Sequence, residues 1–279
     1  MSKWVLVAVL SCAAAGAAAQ PAWQPDTNGD HVIDLSDFLD FLYIYGAEDT
    51  DMDGFYGAFD LCPEEAGPLN GCPEPETCVP VTFDAYTYAV GQIGDQCWFL
   101  ENLRTTAFAS GDPIPEETGS ATGWIALNDT AARCQYLWDD ANGAAYGYRY
   151  NGRAVLDPRG LCPTGWHVPS DLEWMALEAH IGMTEAELGT TGFRGTSAAA
   201  LKDSTGWNGD NATGFAALPG GWRRNSGSWL VLGLSGVFWT SSAVGSSEAW
   251  FRSMHSNNAG INRASIALGD GMSIRCLLD

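Results

Sequence analysis

The final part of the chain is a series of short apolar segments separated by glycine, asparagine and serine, and this pattern restricts the fold more than any other feature. The segments read FAALPGGWRRNSGSWLVLGLSGVFWTSS, EAWFRSMHS, GINRASIALGD and MSIRCLLD. Each is rich in aromatic or β-branched residues and is bounded by turn-forming residues, as strands joined by tight turns are. The pattern predicts antiparallel hairpins over residues 215–279.

Two earlier segments add strands and one helix. VTFDAYTYAVGQIGDQCWFLENL alternates apolar and polar residues, which predicts strands with a turn at Gly94–Asp95. In LCPTGWHVPSDLEWMALEAHIG, Ser170 and Glu173 form a capping box, so a helix should follow and end at Gly182. The apolar stripe predicted for this helix consists of Leu172, Met175, Ala176 and Ala179. Strands, a capped helix and a further run of strands predict an α+β fold.

The amino-terminal segment resembles an export signal. MSKWVLVAVLSCAAAGAAA has one lysine, a short apolar run and an alanine-rich end, so residues 1–19 are predicted to be a signal peptide with Gln20 as the first mature residue. A lipoprotein signal acylated at Cys12 is an alternative, although the residues before this cysteine fit that motif poorly. No later stretch approaches the roughly 18 apolar residues of a membrane span, so we expect a secreted or surface-attached protein.

Acidic residues are concentrated in one block. The formal net charge is −21, and residues 26–76 contain fourteen Asp or Glu and no Lys or Arg. Such a block repels nucleic acid and anionic membranes, whereas it attracts divalent cations. The charge distribution therefore argues against nucleic acid as a partner and favours a metal ion.

Two stretches of this block have the spacing of a twelve-residue calcium loop, in which positions 1, 3, 5, 7, 9 and 12 supply oxygen ligands. The first set of predicted ligands is Asp26, Asn28, Asp30, the Val32 carbonyl, Asp34 and Asp37. The second set is Asp49, Asp51, Asp53, the Phe55 carbonyl and Asp60. His31 replaces the turn glycine of the first loop and Gly57 leaves position 9 of the second to water, so both should bind calcium more weakly than a complete motif. A solvated acidic linker is the alternative.

The carboxy-terminal segments, taken in order, closely resemble the Fibrobacter succinogenes major paralogous domain, a family of exported bacterial modules. The matching motifs are IGDQCWFLENLRT, DPIP, YGYRYNGRAV, GLCPTGWHVPSDLEW, GFAALPGGWR, FWTSS, AWFRSM and SIRCLLD. We place this domain at residues 78–279. The resemblance implies a C-type-lectin-like fold with antiparallel hairpins and a few helices, distantly related to formylglycine-generating enzymes, but it implies no known activity.

The acidic block also resembles known repeats. Residues 20–48 are similar to a dockerin-type half-repeat, a calcium loop plus one helix. Residues 49–77 are similar to a thrombospondin type 3 repeat of the kind that forms calcium-stiffened stalks. The resemblance implies calcium ligation by the carboxylates above and a Cys62–Cys72 disulfide. We therefore expect a small calcium-loop segment that spaces the carboxy-terminal domain.

Seven cysteines follow the predicted signal, and in an exported protein disulfides are the default. Because the two ends of a C-type-lectin-like domain lie side by side, the resemblance implies a disulfide between Cys162 and Cys276. A second is expected between Cys97 and Cys134, which leaves Cys78 unpaired. A Cys78–Cys97 disulfide across the opening hairpin is a competing possibility.

Tryptophans near asparagine, aspartate and glycine suggest a sugar site, because such sites combine an aromatic face with hydrogen-bonding groups. The tryptophans in this setting are Trp124, Trp138, Trp207, Trp222, Trp229, Trp239 and Trp250. We select Trp207, Trp222, Trp229 and Trp250 as the candidate ligand surface. The alternative is that tryptophans of this fold fill the core.

Catalytic signals are weak. Formylglycine-generating relatives use copper held by a late cysteine pair, whereas only Cys276 follows Cys162 here. His167 lacks an identifiable partner and is better explained as a structural residue. We therefore expect a binding protein rather than an enzyme, with calcium as cofactor and a glycan or an extracellular protein as ligand. The alternatives are an enzyme of the formylglycine-generating lineage with altered chemistry, or a structural component of an extracellular matrix.

Overall fold

The computed structural model describes Met52 and residues 78–279. The chain divides after Pro75, and Glu76–Asp279 form one compact unit. Within this unit antiparallel sheets dominate and a few short helices connect them, so the α+β prediction is confirmed. In the part described, no helix is long and apolar enough to cross a membrane. Both predicted calcium loops and the predicted Cys62–Cys72 disulfide lie outside the described residues.

The first strands form a hairpin and a four-stranded sheet. The hairpin consists of β1 (Val81–Phe83) and β2 (Tyr86–Tyr88). The sheet has the order β3-β4-β15-β7, formed by Val90–Ile93, Gln96–Phe99, Leu277–Leu278 and Trp166–His167. Ile93 pairs with Gln96, so the predicted turn at Gly94–Asp95 is confirmed.

A second four-stranded sheet contains the longest strands. Its order is β11-β12-β13-β8, formed by Ser235–Val244, Glu248–His255, Ile261–Ala267 and Gly192–Arg194. The register of β11 on β12 shifts between Trp239 and Ala243. The first three strands are the predicted carboxy-terminal hairpins.

A five-stranded sheet contains Trp222, Arg223 and Trp229. Its order is β10-β9-β14-β6-β5, formed by Trp229–Leu230, Trp222–Arg223, Gly271–Met272, Arg149–Asn151 and Arg133–Cys134. In the hairpin of β9 and β10, Trp229 pairs with Arg223 and Leu230 pairs with Trp222. Because neighbouring residues of a strand face opposite sides of a sheet, Trp229 and Trp222 point in opposite directions.

The helices of the described region are short. They are α1 (Ala121–Ala126), α2 (Asp140–Tyr146), α3 (Gly152–Val155), α4 (Asp171–His180) and α5 (Glu185–Leu188), with 3-10 turns at Tyr136–Trp138 and Ala198–Ala200. Helix α4 starts at the predicted capping box, in which Ser170 accepts from the Glu173 backbone and the Glu173 side chain accepts from the Ser170 backbone. The helix prediction is therefore confirmed.

The predicted buried face of α4 is wrong. Leu172 is 74% exposed, whereas Asp171, Trp174, Leu177 and Glu178 are buried. Three arginines on strands β8, β12 and β13 bind the two buried carboxylates: Arg194 and Arg252 pair with Glu178, and Arg252 and Arg263 pair with Asp171. Because both carboxylates are paired, Asp171 and Glu178 can lie on the buried face of the helix, where apolar residues were expected.

Strands β4 and β11 each contribute side chains to two different apolar cores. On β4, Trp98 packs in a core with Trp174, Phe215 and Phe238, while the next residue, Phe99, packs in a core with Tyr88 and Trp166. Phe238 and Trp239 on β11 divide in the same way. The alternation of side chains along a strand thus joins the two cores through shared sheets.

Two disulfides lie in the described region. Cys162 bonds to Cys276, the pairing that the resemblance implied. Cys97 bonds to Cys78, so the expected Cys97–Cys134 disulfide is wrong and the competing pairing is present. The reason is position: Cys97 is on β4 beside the opening hairpin, whereas Cys134 is on β5 of a different sheet and is a buried free thiol.

Candidate functional site

The four tryptophans predicted to bind ligand do not form one surface. Trp207 is 1% exposed, and its Nε1 donates to the Ala217 carbonyl in the second core, so its assignment to the ligand surface is wrong. Trp250 lies on β12 beneath the Arg263 guanidinium, which is 3.8 Å from the ring centre. Trp222 packs against Phe251. Only Trp229 borders an aromatic cluster that reaches a cavity.

That cavity, which we call the Trp138 cleft, has a volume of about 260 Å³. Its lining residues are Glu116, Glu117, Thr118, Gln135, Trp138 and Asp140. They come from the segment before α1, the turn after β5 and the first turn of α2. The lining thus combines one indole with amide, hydroxyl and carboxylate groups.

The cleft is built around a fully buried arginine. The Arg223 guanidinium carbon lies 5.0 Å from the Trp124 ring centre, 5.1 Å from that of Trp138 and 4.3 Å from that of Trp229. Cation–π attraction of this kind is strong where the cation is desolvated. Arg223 therefore holds the indole of Trp138 against the sheet from below.

Glu117 completes this support. Its Oε2 accepts hydrogen bonds from Trp138 Nε1 at 2.7 Å and from Arg223 Nη1 at 2.5 Å, while its Oε1 accepts from the Gly119 and Ser120 backbones. Burial would raise the pKa of Glu117, but the hydrogen bonds from Trp138, the two backbone N–H groups and Arg223 together hold it below its usual value. The carboxylate is thus ionised at neutral pH.

Backbone strain occurs where the cleft presents its aromatic face. Leu137 and Trp138 have φ values of 54° and 55°, in the left-handed region that non-glycine residues seldom adopt. Leu137 is 50% exposed and Trp138 is 36% exposed. Strained residues with large exposed apolar side chains are costly, and such strain concentrates at functional sites. The turn therefore keeps an indole at the surface that ordinary packing would bury.

The rim supplies polar groups. Glu116 is paired with Arg133 at 2.8 Å, whereas Asp140, in the first turn of α2, is exposed. The Oε1 atom of Gln135 is buried without a hydrogen-bond partner. Since Glu116 and Glu117 are neutralised by arginines, Asp140 contributes the unpaired charge of the cleft.

A second cavity of about 300 Å³ is less suited to stacking. Its lining includes Tyr86, Glu101, Arg104 and Asp203. Arg104 covers the Tyr86 ring at 4.2 Å, and the Tyr86 hydroxyl donates to Glu101 at 2.9 Å. The aromatic face and the hydroxyl group are therefore both engaged within the protein.

The free thiol of Cys134 and the imidazole of His167 lie in contrasting environments. Cys134 is fully buried, and burial raises the pKa of its thiol to about 12 although Arg223 and Arg149 oppose the shift. The thiol thus stays protonated. His167 lies between two carboxylates, with Nε2 2.9 Å from Glu173 and Nδ1 2.5 Å from Asp279. These contacts link β7 to helix α4 and to Asp279.

Sequence reasoning missed most of the cleft. Trp138 stood among seven candidate tryptophans, but nothing in the sequence distinguished it, and Arg223 carried no signal of burial. Glu116, Glu117 and Gln135 carried no motif. The cleft is defined by an arginine packed beneath aromatic rings from separate segments, and the spacing of residues along the sequence does not reveal such a contact.

The fold and the cleft define a disulfide-bonded α+β domain of antiparallel sheets with an aromatic cavity at one sheet. A family model, the Fibrobacter succinogenes major domain, matches residues 92–277, which is more than half of the chain, and the chain belongs to that family. Searches of curated proteins and of solved structures gave no match.

Proposed function

We propose that the protein is a secreted or cell-surface binding protein whose C-type-lectin-like domain holds glycan in the Trp138 cleft. The observation that carries the proposal is the exposed indole of Trp138, which strained backbone and a buried guanidinium hold in place. An aromatic face fixed in this way loses little conformational entropy on binding, which favours affinity.

The composition of the cleft supports a sugar rather than an apolar ligand. A sugar ring stacks its C–H face on an indole while its hydroxyl groups hydrogen-bond to side chains at the ring edge. Thr118, Gln135 and Asp140 supply donors and acceptors beside Trp138. The volume of about 260 Å³ lies below the usual range of drug-sized pockets, which suits one sugar unit of a chain.

The acidic segment has a supporting role in this proposal. Calcium at the predicted loops Asp26–Asp37 and Asp49–Asp60 stiffens a stalk that displays the domain, and it does not contact the glycan. Calcium titration calorimetry of the full chain tests this part of the proposal. A variant with Asp26, Asp30, Asp49 and Asp53 changed to asparagine should lose most of the heat, and unchanged heat would contradict the stalk.

Glycan-array binding of the full chain tests the cleft. The variant Trp138→Ala should lose affinity at least tenfold for any glycan that the wild type binds, whereas Trp138→Phe, which keeps an aromatic face, should retain part of it. Leu172→Ala is the matched control, because this side chain is 74% exposed and is not among the residues that line the cleft. Trp250→Ala tests the competing surface on β12.

Two results would overturn the assignment of the site. Loss of binding in Trp250→Ala with full binding in Trp138→Ala would move the site to β12. No saturable glycan binding by folded wild type would favour a protein ligand or a structural role in an extracellular matrix. Chelation should leave glycan affinity unchanged, because the proposal assigns calcium to the acidic segment and glycan to the cleft.

A further inference from the structure

A buried carboxylate lies between β13 and β14 with one oxygen unused. Asp270 is 2% exposed, and its Oδ1 has no hydrogen-bond partner. The Asn225 backbone N–H donates to the carboxylate. Burial raises the pKa of Asp270 to about 6, although attraction to Arg224 and the Asn225 hydrogen bond oppose the rise. A buried acceptor without a donor is costly, so an unmet ligand is expected nearby.

A second unused oxygen borders the same turn. Asn128, in the loop after α1, donates its amide N–H to the Asn225 carbonyl at 3.1 Å, which fixes the orientation of the side chain. Its Oδ1 is buried without a partner. That oxygen would lie 2.7 Å from a Cβ on Gly269, the residue next to Asp270. Two acceptor oxygens without donors therefore border one turn.

Neighbouring groups do not satisfy these oxygens. The Gly269 carbonyl accepts from Trp124 Nε1 at 2.9 Å, so the nearby indole N–H is already used. Arg224 attracts the Asp270 carboxylate, but its guanidinium stacks at 5.7 Å from the Trp222 ring centre. Asn128 as a whole is half-buried, although its Oδ1 atom is buried.

We propose that Asp270 and Asn128 bind a hard cation of the calcium class, with water completing its coordination. Carboxylate and amide oxygens are the ligands that calcium prefers, and the set holds no sulfur or imidazole for a softer metal. The described region has no group of three or more His, Cys, Asp or Glu that could hold a metal. A site with a single carboxylate is therefore weak, with a dissociation constant on the order of 10⁻⁴–10⁻³ M, as in extracellular modules.

Thermal unfolding of the full chain with and without calcium tests the site. At about pH 8, where the carboxyl group is ionised, addition of about 10 mM calcium should raise the melting temperature of the wild type by roughly 3–10 °C more than that of Asp270→Asn. The control Asp95→Asn removes the same charge from an exposed turn and should respond like the wild type. The difference between variants removes any contribution of the acidic segment.

Terbium provides a direct probe, because Trp124 adjoins the turn and can sensitise the luminescence of a bound lanthanide. The wild type and Asp95→Asn should show a luminescent component that is absent from Asp270→Asn and from Asn128→Ala. Asn128→Ala keeps the test valid if the carboxylate variant folds poorly. Equal calcium shifts and equal luminescence in all four proteins would show that only a water or a proton occupies the turn, and would overturn the proposal.

Discussion

Trp138 Nε1 and Arg223 Nη1 donate hydrogen bonds to the same oxygen of Glu117, at 2.7 and 2.5 Å. One buried carboxylate thus connects the exposed indole of the cleft to the cation packed beneath it. The arrangement makes the cleft depend on a largely buried ion pair, because Arg223 is 0% exposed and Glu117, at the wall of the cleft, is 6% exposed.

The variant Glu117→Gln should lower the free energy of unfolding by about 3 kcal/mol, because it leaves the buried Arg223 without its counter-charge. Urea denaturation measures the loss. The matched control is Glu116→Gln, whose 29% exposed side chain pairs with Arg133 and should cost at most about 1 kcal/mol. Equal losses of unfolding free energy in the two variants would show that the buried Glu117–Arg223 pair stabilises the fold no more than the Glu116–Arg133 pair does.

Acid should open the cleft. The pKa of Glu117 in the folded protein is below its usual value, so the ion pair contributes stability above the unfolded pKa and loses it as pH falls through the folded pKa. We expect tryptophan emission and glycan affinity to stay constant from neutral pH to about pH 5 and to change below about pH 4. An identical profile in Glu117→Gln would assign the change to another carboxylate.

The two disulfides should contribute unequally. Cys162–Cys276 spans 114 residues and Cys78–Cys97 spans 19, and a longer closed loop restricts the unfolded chain more. Replacing both cysteines by alanine should cost about 4–5 kcal/mol for the first pair and about 3 kcal/mol for the second. Denaturation of the two double variants measures the difference, and a larger loss for the shorter loop would contradict the loop argument.

The free thiol provides a chemical check on the pairing. Since Cys134 is fully buried and its pKa is raised to about 12, it should resist alkylation in the native protein and react once the chain is denatured without reductant. Peptide mapping by mass spectrometry identifies the labelled cysteine. Labelled Cys78 in place of Cys134 would restore the Cys97–Cys134 pairing that the structure excludes.

Two adjacent residues of helix α4 allow the contribution of a buried ion pair to stability to be compared with that of an exposed apolar side chain. Asp171→Ala should cost about 3–5 kcal/mol, since it leaves Arg252 and Arg263 without their shared partner in a buried network. Leu172→Ala should stay within about 0.5 kcal/mol, because that side chain is 74% exposed. The reverse order, measured by urea denaturation, would support the apolar stripe predicted from sequence.

Features set by neighbouring residues in the sequence were predicted correctly, whereas features set by distant residues were not. Local signals succeeded: the Gly94–Asp95 turn and the Ser170 capping box depend on neighbouring residues, and the carboxy-terminal hairpins on short aromatic or β-branched segments bounded by turn-forming residues. Burial of charge was not predicted, because the partners of Asp171 and Arg223 come from segments distant in sequence. Trp207 failed for the related reason that its polar neighbours suggested exposure, whereas its indole N–H finds a backbone carbonyl inside the core.

The position of β15 in its sheet has a consequence for biogenesis. Leu277–Leu278 form an inner strand between β4 and β7, and the preceding Cys276 closes a disulfide to Cys162. The sheet that begins at residue 90 therefore stays incomplete until the chain has emerged as far as residue 278. While a ribosome still holds residues 277–278, this sheet lacks an inner strand and the domain cannot close.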